Sequence, residues 1–204
     1  MQLGTVHAAP MDRLTQWNTL GTILRCGSLK YLTIRGSDAS DEGVALLAAG
    51  LRRSGLPLLE SLELREAQIG PRGASDLASA FTAKGPNLKL IDLQDNNIGD
   101  LGLCTLAPAL RRLSRLNWIN LDKNQITDRG LGHLLASTEG ALNSLERLFL
   151  GHNRINDDGC TALVSVLRSG RLLALTHVGL QGNPASAQAK EDVKHARGEL
   201  DVLM

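Results

Sequence analysis

The residues of this chain whose types could do chemistry are its five histidines, a recurring aspartate and three cysteines. His152 and His177 fall in consecutive stretches of similar sequence, each with aspartates nearby. A histidine pair among carboxylates is the raw material of acid–base catalysis or of a metal site. Neither a positioned nucleophile nor a third ligand accompanies the pair, so it reads as two solvated polar positions. Asp41, Asp100, Asp128 and Asp157 recur at one place in the pattern, but Pro71 fills the same slot. Proline is tolerated at the start of a helix and acid is favoured there, whereas neither fits the ligand spacing of a calcium loop. Cys26, Cys104 and Cys160 lack metal-binding spacing, are odd in number and sit in apolar helical runs. They read as buried free thiols of a reducing compartment. No glycine-rich phosphate loop stands between a strand and a helix. The sequence therefore predicts a protein that is not an enzyme and needs no metal or cofactor.

The elements that would position these residues repeat. Apolar triplets recur as Leu29/Leu32/Ile34, Leu59/Leu62/Leu64, Leu88/Ile91/Leu93, Leu116/Ile119/Leu121, Leu145/Leu148/Leu150 and Leu175/Val178/Leu180, with starts 28 to 30 residues apart. A fixed period of that size marks a solenoid. Within each triplet the side chains alternate, so Leu62 and Leu64 face one way and Glu63 the other, as in a short strand. A cap position follows at Ser40, Gly70, Gly99, Thr127 and Asn156, with the aspartate or proline after it. Two residues later comes Gly43, Gly73, Gly102, Gly130 or Gly159. Glycine in a first helical turn costs about 1 kcal/mol against alanine, so packing must require it. Close approach of helix to strand is the expected reason. Leu47, Leu77, Leu106, Leu134 and Leu163 then share a helical face with Leu51, Phe81, Leu110 and Leu167. Thr138 breaks that series, which predicts a short fourth helix handing over to Leu142. Pro108 predicts a kink or a solvent-facing position in the third.

These units divide the chain into an N-terminal cap helix (1–28, helical from Asp12), five repeats (29–174), and a degenerate sixth repeat with a C-terminal cap (175–204), all in one domain. The expected architecture is six parallel strands in chain order, each followed by a helix. Residues 1–11 read as a loose lead-in and Leu200–Met204 as a segment that folds back or frays. Twenty-two basic residues balance 21 acidic ones, which argues against a nucleic-acid binder and against a polybasic membrane-surface protein. No run approaches the ~18 apolar residues of a membrane span, and the start lacks the form of a signal peptide. The default is a soluble intracellular, cytoplasmic protein.

With strand motif, asparagine and glycine recurring in phase, residues 29–183 resemble leucine-rich repeat proteins of the ribonuclease-inhibitor-like class. The asparagine position of that class is filled by Asn96, Asn124, Asn153 and Asn183, where an amide would satisfy the tight turn; Ser37 and Ala67 depart from it. The resemblance implies a horseshoe with a parallel sheet on the concave face and helices on the convex face. It also implies a protein that binds other proteins, and some members regulate Ran-type GTPases.

Binding would fall to the strand positions that face away from the core. The chain has five aromatic residues, and Tyr31, Trp118 and Phe149 are among these outward positions. Leu90, Trp118 and Phe149 are expected to form one exposed apolar patch on adjacent strands ~4.8 Å apart. Glu63, Asp92 and Asp122 would border it, with Asn120, Arg147, His152 and His177 completing the protein-binding set. Large apolar groups with a polar rim are the composition of an interface hot spot. The sequence thus predicts a non-enzymatic interaction module or scaffold that binds another protein on its concave face, either free or as a subunit of a larger assembly. The alternative is a GTPase-activating regulator of the Ran type.

Overall fold

The computed structural model describes residues 5–8 (backbone), 27–36, 40–53, 56–83, 87–136, 142–198 and 200–204. Each apolar triplet builds a short strand, and each strand runs parallel to the one before it. The strands are β1 (Thr5–Ala8), β2 (Tyr31–Arg35), β3 (Ser61–Arg65), β4 (Leu90–Asp92), β5 (Trp118–Asn120), β6 (Arg147–Phe149), β7 (His177–Gly179) and β8 (Asp201–Leu203), ordered along one sheet as along the chain. Between them lie α1 (Ser40–Arg52), α2 (Pro71–Ala83), α3 (Gly99–Leu110), α4 (Asp128–Leu135), α5 (Asp157–Arg168) and α6 (Ala187–Lys194). The chain is an α/β leucine-rich solenoid with a sheet layer and a helix layer.

Eight strands stand where six were expected. Thr5–Ala8 pairs with Tyr31–Ile34, and Asp201–Leu203 pairs with His177–Gly179. Both additions cover an otherwise unpaired sheet edge, whose free N–H and C=O groups would invite association. The lead-in and the tail are therefore edge strands. The cap helix from Asp12, along with Ser37, Cys26 and Thr138, lies outside the described residues.

The inward residues of strands and helices form one continuous core from Leu29 to Val202. Leu32, Leu62, Ile91, Ile119, Leu148 and Val178 pair across the strands and are buried. The fourth helix ends at Leu135 and Leu142 is buried, as the break in the leucine series predicts. Pro108 is exposed, so its missing N–H and its ring face solvent.

Polar side chains tie each repeat to its neighbour. Asn153 shows the pattern: its Oδ1 accepts from the N–H groups of Asn124 (2.9 Å) and Ile126 (3.0 Å), while its Nδ2 donates to Leu121 O and Leu150 O, both at 2.9 Å. Asn96 binds Ala67, Ile69, Leu64 and Leu93 likewise, so the buried Ala67 turn is held from the following repeat. The aspartates also reach forward. Asp41 accepts from the N–H groups of Gly70 (2.7 Å) and Gly73 (2.9 Å), Asp128 from Asn156 N–H (2.8 Å) and Asp157 from Ser186 N–H (2.6 Å). Asp100 accepts from both the N–H (2.8 Å) and the hydroxyl (2.6 Å) of Thr127. Each aspartate thus caps the following helix.

This forward reach corrects the reason for the glycine column. A Cβ on Gly73 would stand 2.6 Å from Asp41 Oδ1, and on Gly102 it would stand 3.2 Å from Pro71 Cα. Carboxylates from the preceding repeat would likewise overlap a Cβ on Gly130 or Gly159. The close approach is between successive helix starts, with the isoleucine of the preceding turn beside it, and not between helix and strand.

Candidate functional site

The outward residues of the strands lie in rows fixed by the parallel register. One row runs Tyr31, Ser61, Leu90, Trp118, Arg147, His177, Asp201; the next runs Thr33, Glu63, Asp92, Asn120, Phe149, Gly179, Leu203. Leu90 and Trp118 are therefore direct cross-strand neighbours. Phe149 is one row along, opposite Asn120, and meets Trp118 on the diagonal. The two rings are 5.4 Å apart between centroids and tilted by 58°, a favourable aromatic arrangement. Leu90, Trp118 and Phe149 are half-buried, which corrects the expectation of a freely exposed patch. Each ring covers part of the other and leaves a face to solvent. Tyr31 is 43% exposed and stands apart, on a strand two away from Leu90.

Polar groups pave the rest of this face. Asp92 was expected as a rim acid, but its side chain is fully buried and lies 2.6 Å from Arg65 Nη2, which also contacts Glu63 at 3.2 Å. Its Oδ1 accepts from Gln94 N–H at 3.0 Å. Asn120 is also buried; its Oδ1 accepts from Asp122 N–H at 2.9 Å. These two residues hold the surface together rather than display themselves. A half-buried Asp122 accepts from Gly151 N–H at 2.6 Å and from Gln181 Nε2 at 3.3 Å. Burial pushes its carboxyl above the usual range, against the opposing pull of the Gly151 hydrogen bond. Gln181 reaches Asp122 by lying over Gly151, where any Cβ would collide with its amide. A glycine in the outward row thus makes room for a side chain that bridges two strands.

The histidines do not come together. His177 pairs with Arg147 across the sheet, whereas His152 lies past the end of β6, against Gly182 in the turn that follows β7. His177 Nδ1 contacts Thr176 Oγ1 at 2.8 Å, and its Nε2 lies 3.5 Å from Asp201 Oδ2. His152 occupies a left-handed position, φ 54°, in the turn after β6. Glu66, Asp95 and Lys123 occupy the same position in earlier repeats with φ between 54° and 59°, and Gly182 follows with φ 67°. That column is a turn requirement, and the sequence signalled it only through the glycine at its end. Arg147 is exposed beside Trp118. Cys160 is buried, and burial raises its thiol to about 11; Cys104, expected to be buried, is exposed. Among the described residues, no group of three histidine, cysteine or acidic side chains is placed to hold a metal ion, and no helix is long and apolar enough to cross a membrane.

The repeats have clear relatives. A family profile described as a leucine-rich repeat matches residues 55–78, 86–107 and 141–164. The ribonuclease inhibitor of Sus scrofa is 32% identical over 154 residues, covering 74% of this chain and 33% of that protein. NACHT, LRR and PYD domains-containing protein 12 of Mus musculus is 37% identical over 142 residues, 69% of this chain and 13% of that protein. Its human relative numbered 13 is 31% identical over 146 residues, 72% and 14% respectively. The chain thus spans a third or less of the length of these relatives. The profile matches fall in phase with the strand-and-helix unit, and the ribonuclease inhibitor match covers most of it: the chain is a leucine-rich repeat protein of the ribonuclease-inhibitor-like class.

Proposed function

We propose that this chain is a non-enzymatic module that binds another protein on its sheet face, alone or as a subunit of a larger assembly. The observation that carries the reading is the Trp118–Phe149 pair beside Leu90, half-buried and open to solvent on a sheet whose core is built of leucine. A large aromatic that the core does not use, set in a surface of fixed polar groups, is the composition of a binding hot spot. Arg147, Glu63, Asp122, His152 and His177 supply the rim, Tyr31 a second contact, and Asp92 and Asn120 hold the surface in shape. Ribonuclease inhibitors are named for acting on a protein, which supports a protein partner here. Free Cys104 and Cys160 support a reducing, cytoplasmic setting.

The test is a pull-down from the native source with wild type, Trp118→Ala and the convex-side control Arg129→Ala, followed by affinity measurement on the captured protein. Truncating a tryptophan anchor typically costs 2 kcal/mol or more, so Trp118→Ala should weaken binding about thirtyfold with thermal stability nearly unchanged. A partner that binds the Trp118 variant normally and is lost with Arg129→Ala would move the working surface to the helices.

A further inference from the structure

The near-neutral total charge conceals a segregation of charge between the two edges of the solenoid. The edge where strands turn into helices carries the basic Arg72, Lys123, Arg129 and Arg154 but more acids, among them Asp41, Glu42, Asp100, Asp128, Asp157 and Asp158. Four of these acids are consumed internally, capping the next helix. The opposite edge, where helices return to strands, carries Arg52, Arg53, Arg112, Arg115 and Arg168, all exposed. None of the five forms an ion pair among the described residues. Glu60 and Glu146 are the acids in the described parts of these helix-to-strand segments, and Glu60 is tied to Lys89 at 2.8 Å.

The helix dipole accounts for Arg52 and Arg168, which stand in the last turns of α1 and α5, but not for the other three. Arg111 and Arg171 do serve helix ends, donating to the carbonyls of His133 and Leu135 at the close of the short α4. Arg53, Arg112 and Arg115 lie beyond their helices with their guanidinium groups in solvent. Between α2 and α3 this edge also holds a cavity of about 220 Å³, floored by Phe81 and Leu113, walled by Thr82, Asn87 and Ser114, and flanked by Arg112 and Arg115. Two guanidinium groups beside hydroxyl and amide side chains, over the buried Phe81 and Leu113, fit a carboxylate. Leu58 and Leu173, 46% and 65% exposed, stand in the same helix-to-strand segments.

We propose that this basic edge is a second docking surface, and that its partner is an acidic protein segment with interspersed apolar residues. Arginine mixed with exposed leucine favours a polypeptide over a nucleic acid, which would be met by phosphate contacts together with aromatic stacking. The surface is independent of the sheet face, and either can fail without the other.

The experiment uses the full chain and fluorescence anisotropy with three labelled probes. One is a peptide of repeated Glu-Glu-Leu triplets, one a peptide of repeated Glu-Glu-Ser triplets, and one a single-stranded oligodeoxynucleotide of equal charge. The leucine-bearing peptide should bind best and weaken as salt rises. Arg112→Glu with Arg115→Glu should reduce that binding about tenfold or more, since two exposed attractions become repulsions. Leu58→Ser with Leu173→Ser should bring it down to the level of the serine peptide. Arg129→Glu, on the other edge, and Trp118→Ala, on the sheet, should leave it unchanged, and all variants should unfold at the wild-type temperature. Equal binding of both peptides, tighter binding of the oligonucleotide, or indifference to the double arginine reversal would each overturn the proposal.

Discussion

Replacing Asn153 by alanine tests how the repeats are joined. The amide of Asn153 serves two turns at once, its own and that of the preceding repeat. Without it, the N–H groups of Asn124 and Ile126 and the carbonyl of Leu121 lose their partner in a region closed to water. Leu150 O keeps the amide of Asn183 at 2.7 Å, so it is not orphaned. Leaving a buried polar group unpaired costs about 1–3 kcal/mol; with three such groups and some relaxation, the expected loss is about 3–5 kcal/mol. That is a large share of the roughly 5–15 kcal/mol that separates a folded domain from its unfolded chain. Urea unfolding followed by circular dichroism measures the loss as a lowered midpoint. Hydrogen exchange adds a positional check, because Asn124 and Ile126 amides, in the repeat before the substitution, should lose protection. Asn153→Asp should also destabilise near neutral pH. Its carboxylate could accept from both N–H groups but would face the carbonyls of Leu121 and Leu150, and acidification should restore part of the loss by supplying a proton to donate. An alanine variant that unfolds within about 0.5 kcal/mol of wild type, or that loses protection only in its own turn, would refute the account of the asparagine column.

Three other outcomes follow from the same geometry. Gly130→Ala should cost about 1–3 kcal/mol in denaturant unfolding by displacing the Asp100 carboxylate from Thr127, whereas Gly132→Ala in the same helix, with open space around it, should stabilise by up to about 1 kcal/mol. Asp122 has its folded pKa raised by burial, so the native state holds its proton more tightly; its ionisation costs stability as pH rises through the folded value, and the cost is relieved on acidification. Asp122→Asn should raise the unfolding midpoint at pH 7 and flatten its pH dependence in the acid range, since the new amide can still accept from Gly151 and, once the Gln181 amide turns over, can donate to the Gln181 Oε1 that lacks a partner in the native protein. In a thiol titration of native protein near neutral pH, Cys104 should be labelled quickly and Cys160 only after unfolding, as peptide mass spectrometry would show.

The repeat was legible because its signal is redundant: leucine, asparagine and glycine recur in phase, and any one column predicts the others. The functional columns were legible only in part. A strand's outward residues follow from alternation, so Trp118 was placed on the sheet face correctly. Which row Phe149 joins depends on the count from Leu145 rather than on mere adjacency, and the diagonal contact with Trp118 follows from that count. Burial of Asp92 could not be read from its own position, because the cover comes from Arg65, 27 residues earlier and one strand over. The glycine column announced a close approach, but the approaching group is the aspartate of the previous repeat, a pairing between two columns each of which had been explained separately. The terminal strands were missed because Thr5–Ala8 and Asp201–Leu203 carry no asparagine or glycine phase; they pair because an edge was left open. No residue on the described surface singles out the GTPase-regulating alternative.

The direction of the polar links bears on how the sheet face can bind. Asparagine, aspartate and the outward ladder all run between successive repeats, and Gln181 skips one strand to reach Asp122, 59 residues away in sequence. Several polar side chains near Trp118 and Phe149 are therefore held by groups from a different repeat: Asn120 donates to Gln94 Oε1, and Asp122 accepts from Gly151 N–H and from Gln181 Nε2. Their rotamers are settled before any partner arrives. Immobilising a mobile side chain at an interface costs about 0.5–1.5 kcal/mol each, and a surface that is already ordered spares that cost. A sheet of short strands offers few backbone groups to a ligand, since its N–H and C=O groups are spent on the ladder. Recognition must come from side chains, and here the polar ones are largely engaged with each other. The contacts still open to solvent in the middle of the face are the aromatic pair, Leu90 and the exposed Arg147 beside them, so binding strength there should follow shape and apolar burial, with Arg147 and the surrounding charges setting orientation and partner choice.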